Sequence, residues 1–354
     1  MQIKTIRKDL LHWYSINKRD LPFRDRKDPY LIWLSEVMLQ QTKVETVIPY
    51  FNKWIKKFPT LKDVSNSKLS ELLKIWEGLG YYARCRNFYK SSIIVQNEYN
   101  GKIPKDLDTF RSLPGVGDYT ASAVLSIAFG FPYSVIDGNV RRVCSRVLGK
   151  KKLSSRNITI IKNTLYRWID KENPGDFNQA IMELGALVCK PKNPKCFVCP
   201  LKQNCKGFGS GSPEEYPNKI KKSIKPHYLT VGGIIWDKNR FYIQKRNNKT
   251  MLGGLWEFPS TKVEKGESLK NALKRRLKEK FGFNPILIKK IGSIKHTYSH
   301  FSITLHAYHC RHNFRKLIIK NDHKWITKME INLFAFPKAN HKIFNLIVEK
   351  GWDV

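Results

Sequence analysis

Leu113-Pro114-Gly115-Val116-Gly117-Asp118-Tyr119, followed downstream by Val135-Ile136-Asp137-Gly138-Asn139-Val140-Arg141-Arg142, is the stretch from which the rest of the chain can be read. The pentad 113–117 sits between segments whose apolar residues recur at helical spacing. Glycines two apart permit a tight turn with exposed backbone N–H groups. Those amides, with the N-terminus of a helix beginning at Asp118, form a place where a phosphate can sit. A tight helix–helix turn without a ligand is the plainer alternative. In the second stretch Asp137 precedes a helix. It is either a simple N-cap or a carboxylate aimed at a bound nucleotide, with Gly138 allowing close approach. Arg141 and Arg142 offer phosphate contacts or surface charge.

Outward from this centre, residues 1 to about 206 read as mostly helical, with little alternation of period two. Leu31 to Phe58 is one long apolar-periodic segment that Pro49 should break or kink. Further helices are expected over 70–76, 87–95, 121–129, 140–148, 158–169 and 178–189. Gly207-Phe208-Gly209-Ser210-Gly211-Ser212-Pro213 then interrupts the pattern. Lys219, Lys221, Lys222 and Lys225 lead to Pro226, so 207–226 reads as a basic linker lying near phosphate. Beyond it, strands are expected over 229–236 and 240–244 around a turn at Asp237-Lys238-Asn239, and over 286–294 and 302–309. Helical spacing returns over 269–281, and 331–334 and 341–349 offer further short helices. The expected fold is multidomain: an all-α domain over 1–206, the linker 207–226, and an α/β domain over 227–354.

Lys and Arg number 65 against 29 Asp and Glu, a formal charge of +36 on 354 residues. Such a charge implies a polyanionic partner, because Lys and Arg release counterions from phosphate and gain affinity without sequence specificity. An acidic protein is excluded, and 12% aromatic content argues against a disordered chain. A basic ribosomal or nucleoid protein without chemistry is not excluded by composition. Charged residues recur where a secretory signal would lie, and no apolar window of about 18 residues could cross a membrane. A cytoplasmic, nucleoid-associated protein of bacterial type is expected, with no membrane partner. Nothing suggests an oligomer, so a monomer is expected.

Cys189, Cys196, Cys199 and Cys205 are separated by six, two and five residues. Four thiolates at this density form a metal site in a reducing compartment rather than a disulfide framework. One close pair, where structural zinc sites more often use two, favours a compact loop around a [4Fe–4S] cluster over one zinc ion or unligated cysteines. Pro191, Lys192, Pro194 and Lys195 make that loop basic. Cys85, Cys144 and Cys310 are isolated and read as buried small hydrophobes.

Trp33-Leu34-Ser35-Glu36-Val37-Met38-Leu39-Gln40-Gln41-Thr42 places Glu36 and Gln40 on one helix face. A lone Glu is usually exposed, but this one lies in an apolar run. Partial burial would raise its pKa and let it carry a proton near neutral pH, as an acid serving a poor purine leaving group must.

The hairpin pentad, the following aspartate and the four-cysteine loop together resemble the endonuclease-III-like, helix-hairpin-helix superfamily of DNA glycosylases. Lyase-active members carry a lysine at the second position after Leu-Pro-Gly-x-Gly. Here that position is Tyr119, which offers no amine for a Schiff base, so the resemblance implies a monofunctional enzyme. The Glu36 string, with Leu21-Pro22-Phe23-Arg24 before it and Gly78-Leu79-Gly80-Tyr81-Tyr82-Ala83-Arg84 after it, narrows the resemblance to the adenine DNA glycosylase (MutY) family. It covers essentially the whole chain. Members remove adenine mispaired with 8-oxoguanine or guanine in double-stranded DNA.

The resemblance implies roles residue by residue. Glu36 is the general acid at adenine N7, and Asp137 stabilises the oxocarbenium-like sugar or forms a transient adduct. Tyr119 and Asn139 support that pocket, and Arg24 lines it. Gln41 and Tyr81 enter the duplex beside the oxidised guanine; an exposed amide and a packed aromatic are their plainer alternatives. Leu113, Gly115, Val116 and Gly117 form the DNA-binding hairpin. The four cysteines hold the [4Fe–4S] cofactor.

In the C-terminal part, Gly253-Gly254-Leu255-Trp256-Glu257-Phe258-Pro259 and the later Gly266-Glu267 and Arg275-Arg276-Leu277-Lys278-Glu279-Lys280 resemble a Nudix domain. Where a working Nudix helix reads Arg-Glu-x-x-Glu-Glu, this chain has Arg276 and Lys280 in place of two of three acids, which would repel Mg²⁺. No pyrophosphatase activity is expected. His296-Thr297-Tyr298-Ser299-His300 matches the family's lesion-reading loop, with Tyr298 where Phe is usual. By resemblance Ser299 hydrogen-bonds the N7–H of 8-oxoguanine, and His300 contacts the lesion or a phosphate; a polar turn is the alternative. Competing functions are a pyrimidine- or mismatch-specific glycosylase of the same superfamily, or a non-catalytic, structure-specific DNA-binding protein.

Overall fold

The computed structural model describes residues 3–218, 225–282, 286–311 and 322–349. Lys219, Lys221 and Lys222 of the expected basic linker lie outside these ranges.

The N-terminal two thirds are helical: α1 (Ile3–Asn17), α2 (Pro29–Leu39), α3 (Val44–Lys57), α4 (Leu61–Asn66), α5 (Leu69–Ile75), α6 (Ala83–Glu98), α7 (Leu107–Arg111), α8 (Asp118–Phe129), α9 (Gly138–Leu148), α10 (Ser155–Trp168), α11 (Pro174–Leu187) and the short α12 (Lys206–Gly209). In α1, Ile6, Leu10 and Tyr14 repeat at every fourth position and form its buried stripe. The start of α2 is set by Asp28, whose side chain accepts from Tyr30 N, and by Pro29 in the first turn. This helix is buried from Ile32 to Met38 with Glu36 in the middle. Helices α8 and α9 end on left-handed Gly130 and Gly149. Their apolar faces join α1, α10 and α11 in a core that includes Leu10, Ala123, Val143, Leu165, Phe177 and Leu184.

The segment 31–58 departs from its expected form. Its break lies at 40–43, between α2 and α3, while Pro49 sits inside a continuous α3. The chain turns there because Gln41 takes a left-handed conformation, φ +55°.

The chain divides into two compact units, Met1–Asn66 with Asn87–Lys221, and Ser67–Arg86 with Lys222–Val354. The second unit thus includes a helical segment from the N-terminal half. Glu77 accepts from Phe336 N at 2.7 Å and pairs with His341 Nε2 at 2.6 Å. Lys74 Nζ donates to Phe334 O at 2.8 Å, and Arg86 Nη1 donates to Gly253 O at 2.7 Å.

The second unit is built on a seven-stranded sheet: β1 (His227–Asp237), β2 (Arg240–Lys245), β3 (Trp256–Glu257), β4 (Ser260–Lys262), β5 (Ile286–Thr297), β6 (Ser302–Arg311) and β7 (His323–Ile326). Its main path runs β3-β2-β1-β6-β5, with β4 on β1 and β7 on β2. Among the described residues only β1 and β6 pair in parallel, Gly232 facing Ala307, so the sheet is mixed. Alternation along β1 supplies both faces. Val231 and Ile235 pack against Leu273 and Leu277 of α13 (Leu269–Phe281). Ile234 and Trp236 share a cluster with Ile343 and Phe344 of α14 (Lys338–Glu349). The short helix expected over 331–334 is a 3-10 helix that begins earlier, Lys328–Leu333.

Candidate active site

A cleft of about 550 Å³ opens in the first unit. Its walls include Arg24, Glu36, Gln41, Tyr119, Asp137 and Asn139, six of the residues singled out from sequence, together with Arg19, Gln179, Met182 and Glu183.

Glu36 is 7% exposed. Burial pushes its carboxyl up to about 7; the Tyr119 hydrogen bond opposes this, nearby Asp137 adds to it and Arg24 lowers it. Tyr119, in the first turn of α8, donates its hydroxyl to Glu36 Oε2 at 2.7 Å, and its oxygen lies 3.3 Å from Met182 Sδ. Burial and the neighbouring carboxyl groups hold the Tyr119 phenol well above its ordinary value, so it stays a donor.

Asp137 realises the N-cap alternative, accepting from Val140 N at 2.7 Å at the start of α9, and it also lines the cleft. Asn139 Nδ2 donates to its other oxygen at 3.0 Å. Burial raises its pKa, and these hydrogen bonds oppose the rise. Arg142 in turn donates to Asn139 Oδ1 (2.8 Å), Gly185 O (2.8 Å) and Cys189 O (2.7 Å). Gly185 is required here, because a Cβ would lie 2.6 Å from Asn139 Cβ.

A group that sequence reasoning missed also lines the cleft. Glu183, 2% exposed on α11, takes a bidentate pair from Arg19 (2.8 and 2.9 Å) and a bond from Arg24 Nη2 (3.0 Å). A glutamate among the apolar residues of 178–189 was the only available signal.

The hairpin turns at Gly115, φ +81°, where a Cβ would lie 2.7 Å from Asn87 Cβ. Leu113 and Val116 are buried, and Val116 N is committed to Leu113 O. The surface offered to a ligand is therefore the exposed Gly115, Gly117 and Asp118, the last two at the α8 N-terminus, where a Cβ on Gly117 would meet nothing.

Cys189, Cys196, Cys199 and Cys205 line one hollow. Arg146, 2% exposed, points Nη1 at Cys189 Sγ at 3.2 Å. Its other contacts are the carbonyls of Lys190 (2.7 Å), Tyr216 (3.1 Å) and Pro191 (3.4 Å). A buried cation held by neutral carbonyls would be matched by the negative charge of thiolates ligating a bound group. Among the described residues, no three His, Cys, Asp or Glu side chains converge on a point that one ion would fill. Four thiols around one hollow fit a sulfur-ligated metal centre.

In the second unit, Tyr81, at φ +48°, places its hydroxyl 2.6 Å from Ser299 Oγ. Residues 298–301 are the turn joining β5 to β6, closed by Tyr298 N to Phe301 O at 2.8 Å. Ser299 and His300 are exposed at its tip. Tyr298 packs edge-on to His296 and against Phe301, which accounts for an aromatic residue there. On α13, Arg275 pairs with Glu267 (2.9 Å), Glu264 (3.3 Å) and Glu279 (3.6 Å), so the acids that remain in the Nudix-like motif face an arginine.

Residues 34–167 match the model of the HhH-GPD superfamily base excision DNA repair proteins, and 230–346 match the NUDIX domain. An adenine DNA glycosylase of Buchnera aphidicola (from Schizaphis graminum) is 38% identical over 83% of this chain and 84% of its own. The Homo sapiens adenine DNA glycosylase is 34% identical over 98% of this chain and 74% of its own. A solved thermostable thymine-DNA glycosylase, 28% identical, superposes with TM-score 0.55 on 59% of this chain and 97% of its own. The match to the thymine enzyme stops short of the whole chain, whereas the human adenine enzyme matches through both domains. The chain belongs to the adenine DNA glycosylase family of base excision repair enzymes.

Proposed function

We propose that this glycosylase binds double-stranded DNA and hydrolyses the N-glycosidic bond of adenine mispaired with 8-oxoguanine or guanine, without strand cleavage. The observation that carries the reading is the pair of carboxyl groups in one cleft, buried Glu36 with its pKa raised to about 7 and half-buried Asp137 held by two hydrogen bonds. Adenine leaves poorly as an anion. Glu36, protonated near neutral pH, delivers a proton to N7 and lowers that barrier. The sugar then develops positive charge, and ionised Asp137 faces it. One carboxyl must carry a proton and the other a charge; the bonds from Val140 N and Asn139 favour the charged form of Asp137. Tyr119 orients Glu36, and Asn139 orients Asp137. Tyr119 also stands where an amine would be needed for lyase chemistry.

Extrusion of the base costs a few kcal/mol, less at a mismatch. Gln41 and Tyr81 hold the opened stack, and Arg24 lines the adenine pocket. The amides at Gly117 and Asp118 anchor a phosphate. Ser299 reads the N7–H of 8-oxoguanine, with His300 beside it. Cys189, Cys196, Cys199 and Cys205 hold a [4Fe–4S] cluster, which when bound pins the basic loop 190–204 and supplies negative charge to buried Arg146. The relatives and solved neighbours named for DNA glycosylases, and the net charge of +36, support the DNA partner.

A single-turnover assay on a labelled duplex with adenine opposite 8-oxoguanine tests this reading. Strand breaks should appear only after hot alkali. Neither free adenine nor an alkali-labile site, from protein carrying its cluster, would overturn it.

A further inference from the structure

We infer that Glu183 is a positioning residue that locks Arg19 and Arg24 into one wall of the cleft and screens Arg24 from Glu36. The inference rests on the reading of Glu36 as the acid.

The carboxylate of Glu183 is the acceptor of four hydrogen bonds. Arg19 supplies Nε and Nη2, at 2.8 and 2.9 Å, and its backbone N at 3.1 Å; Arg24 supplies Nη2 at 3.0 Å. Burial alone would raise its pKa, but these bonds outweigh burial and hold it down at about 2. It is therefore ionised whenever the enzyme works. A structural ion pair would match one cation to one anion. Here two guanidinium groups share one carboxylate, which leaves a single net positive charge on that wall. Arg24 is further fixed by Arg19 O at 3.2 Å and by the Tyr14 ring, 5.5 Å from its guanidinium carbon.

Glu36 is faced by Tyr119 from α8, by Asp137 at the start of α9, and by Arg24 from the segment before α2, with Arg19 and Glu183 lining the same cleft. Arg24 favours the ionised form of Glu36. Glu183 opposes that influence and so keeps the proton on the acid. Charge on the wall then sets the pH at which Glu36 works. Loss of the Glu183 charge strengthens the field of Arg24, and Glu36 ionises at lower pH. Loss of Arg24 leaves a neutral Arg19–Glu183 pair, and Glu36 ionises at higher pH.

The test is the single-turnover excision rate from pH 5.5 to 9 on adenine opposite 8-oxoguanine. The wild-type rate should fall around pH 7. In Glu183→Gln the falling limb should move to lower pH. A midpoint displaced from about 7 to about 6 cuts the protonated fraction at pH 7 by about fivefold. Glu183→Asp, which keeps the charge, should retain the wild-type limb. Arg24→Met keeps the neutral pair for folding and should move the limb to higher pH. A Glu183→Gln profile lowered uniformly at an unchanged midpoint, or an Arg24→Met limb that stays in place, would overturn the inference alone. A wild-type rate that is flat through pH 7 would overturn the Glu36 reading and the inference with it.

Discussion

Tyr119 Oη donates to Glu36 Oε2 at 2.7 Å, across 83 residues of chain. The contact orients the carboxyl group and also opposes the rise in its pKa that burial causes. Tyr119→Phe removes the donor and leaves Arg24 to oppose burial. The falling limb of the excision rate should move to higher pH, while the rate on the low-pH side drops roughly tenfold, the value of one hydrogen bond to a carboxyl group. A pH profile with an unmoved limb would reduce the contact to packing.

Glu36→Gln should bind the mismatched duplex and fail to cut it. The same change should stabilise the protein above neutral pH. A buried acid with a pKa of about 7 against an ordinary 4.5 keeps its proton in the folded chain after the unfolded chain has lost it. Stability is then fully present below 4.5 and is lost as pH rises to about 7, by up to about 3 kcal/mol. Thermal unfolding at pH 5 and pH 8 should show the wild type losing Tm between the two conditions and the Gln variant losing less. Equal losses would mean that Glu36 is not protonated in the fold.

Asp137 separates cleanly into its two roles. Asn is as good an N-cap as Asp, so Asp137→Asn should keep the urea midpoint within a few tenths of a kcal/mol of the wild type. Excision should fall a hundredfold or more, because the developing cation loses its anion. Denaturation and single-turnover rates on the same preparation check both halves. A destabilised Asn variant would place the defect in folding.

The two hairpin glycines should behave in opposite ways. Gly115→Ala imposes a positive φ on a residue with a Cβ and crowds Asn87, so about 1–3 kcal/mol of stability should be lost. Gly117→Ala meets nothing within 4 Å and has φ −99°. It should leave stability unchanged and weaken DNA binding, because its methyl group stands where the backbone would meet a phosphate. Fluorescence anisotropy with a labelled duplex checks this. Unchanged affinity would remove the hairpin from the interface.

Ser299→Ala should lower the preference for adenine opposite 8-oxoguanine over adenine opposite guanine by about tenfold, one hydrogen bond's worth. The ratio of the two single-turnover rates is the measure. A constant ratio would leave residues 298–301 as a turn.

The parts of this site that were legible in the sequence are those carried by short, continuous motifs. Glu36 stands out because it interrupts an apolar run, Asp137 because it precedes a helix with Gly138 beside it, and Tyr119 because the glycine hairpin fixes its position. Glu183 was opaque because its partners, Arg19 and Arg24, lie 164 and 159 residues away. The wrong location for the break in 31–58 has a local cause. Proline is the stronger breaker in principle, but here the strain is taken by Gln41, whose left-handed φ no pattern announces. In the second unit β6 largely alternates and β1 and β2 carry continuous buried runs, whereas β3, with two residues, and β4, with three, are too short to show a period.

The segment 67–86 belongs in space to the C-terminal unit. Its ties there include the bonds of Glu77 to Phe336 and His341, and that of Lys74 to Phe334. The gene for such a protein cannot be shortened at the linker without loss upstream. A stop codon near residue 220 would strand a piece of the surviving half with its polar groups undressed, and premature termination should yield an unstable product. Residues 67–86 and the C-terminal unit are inherited together because the polypeptide is interleaved, not merely because it is continuous.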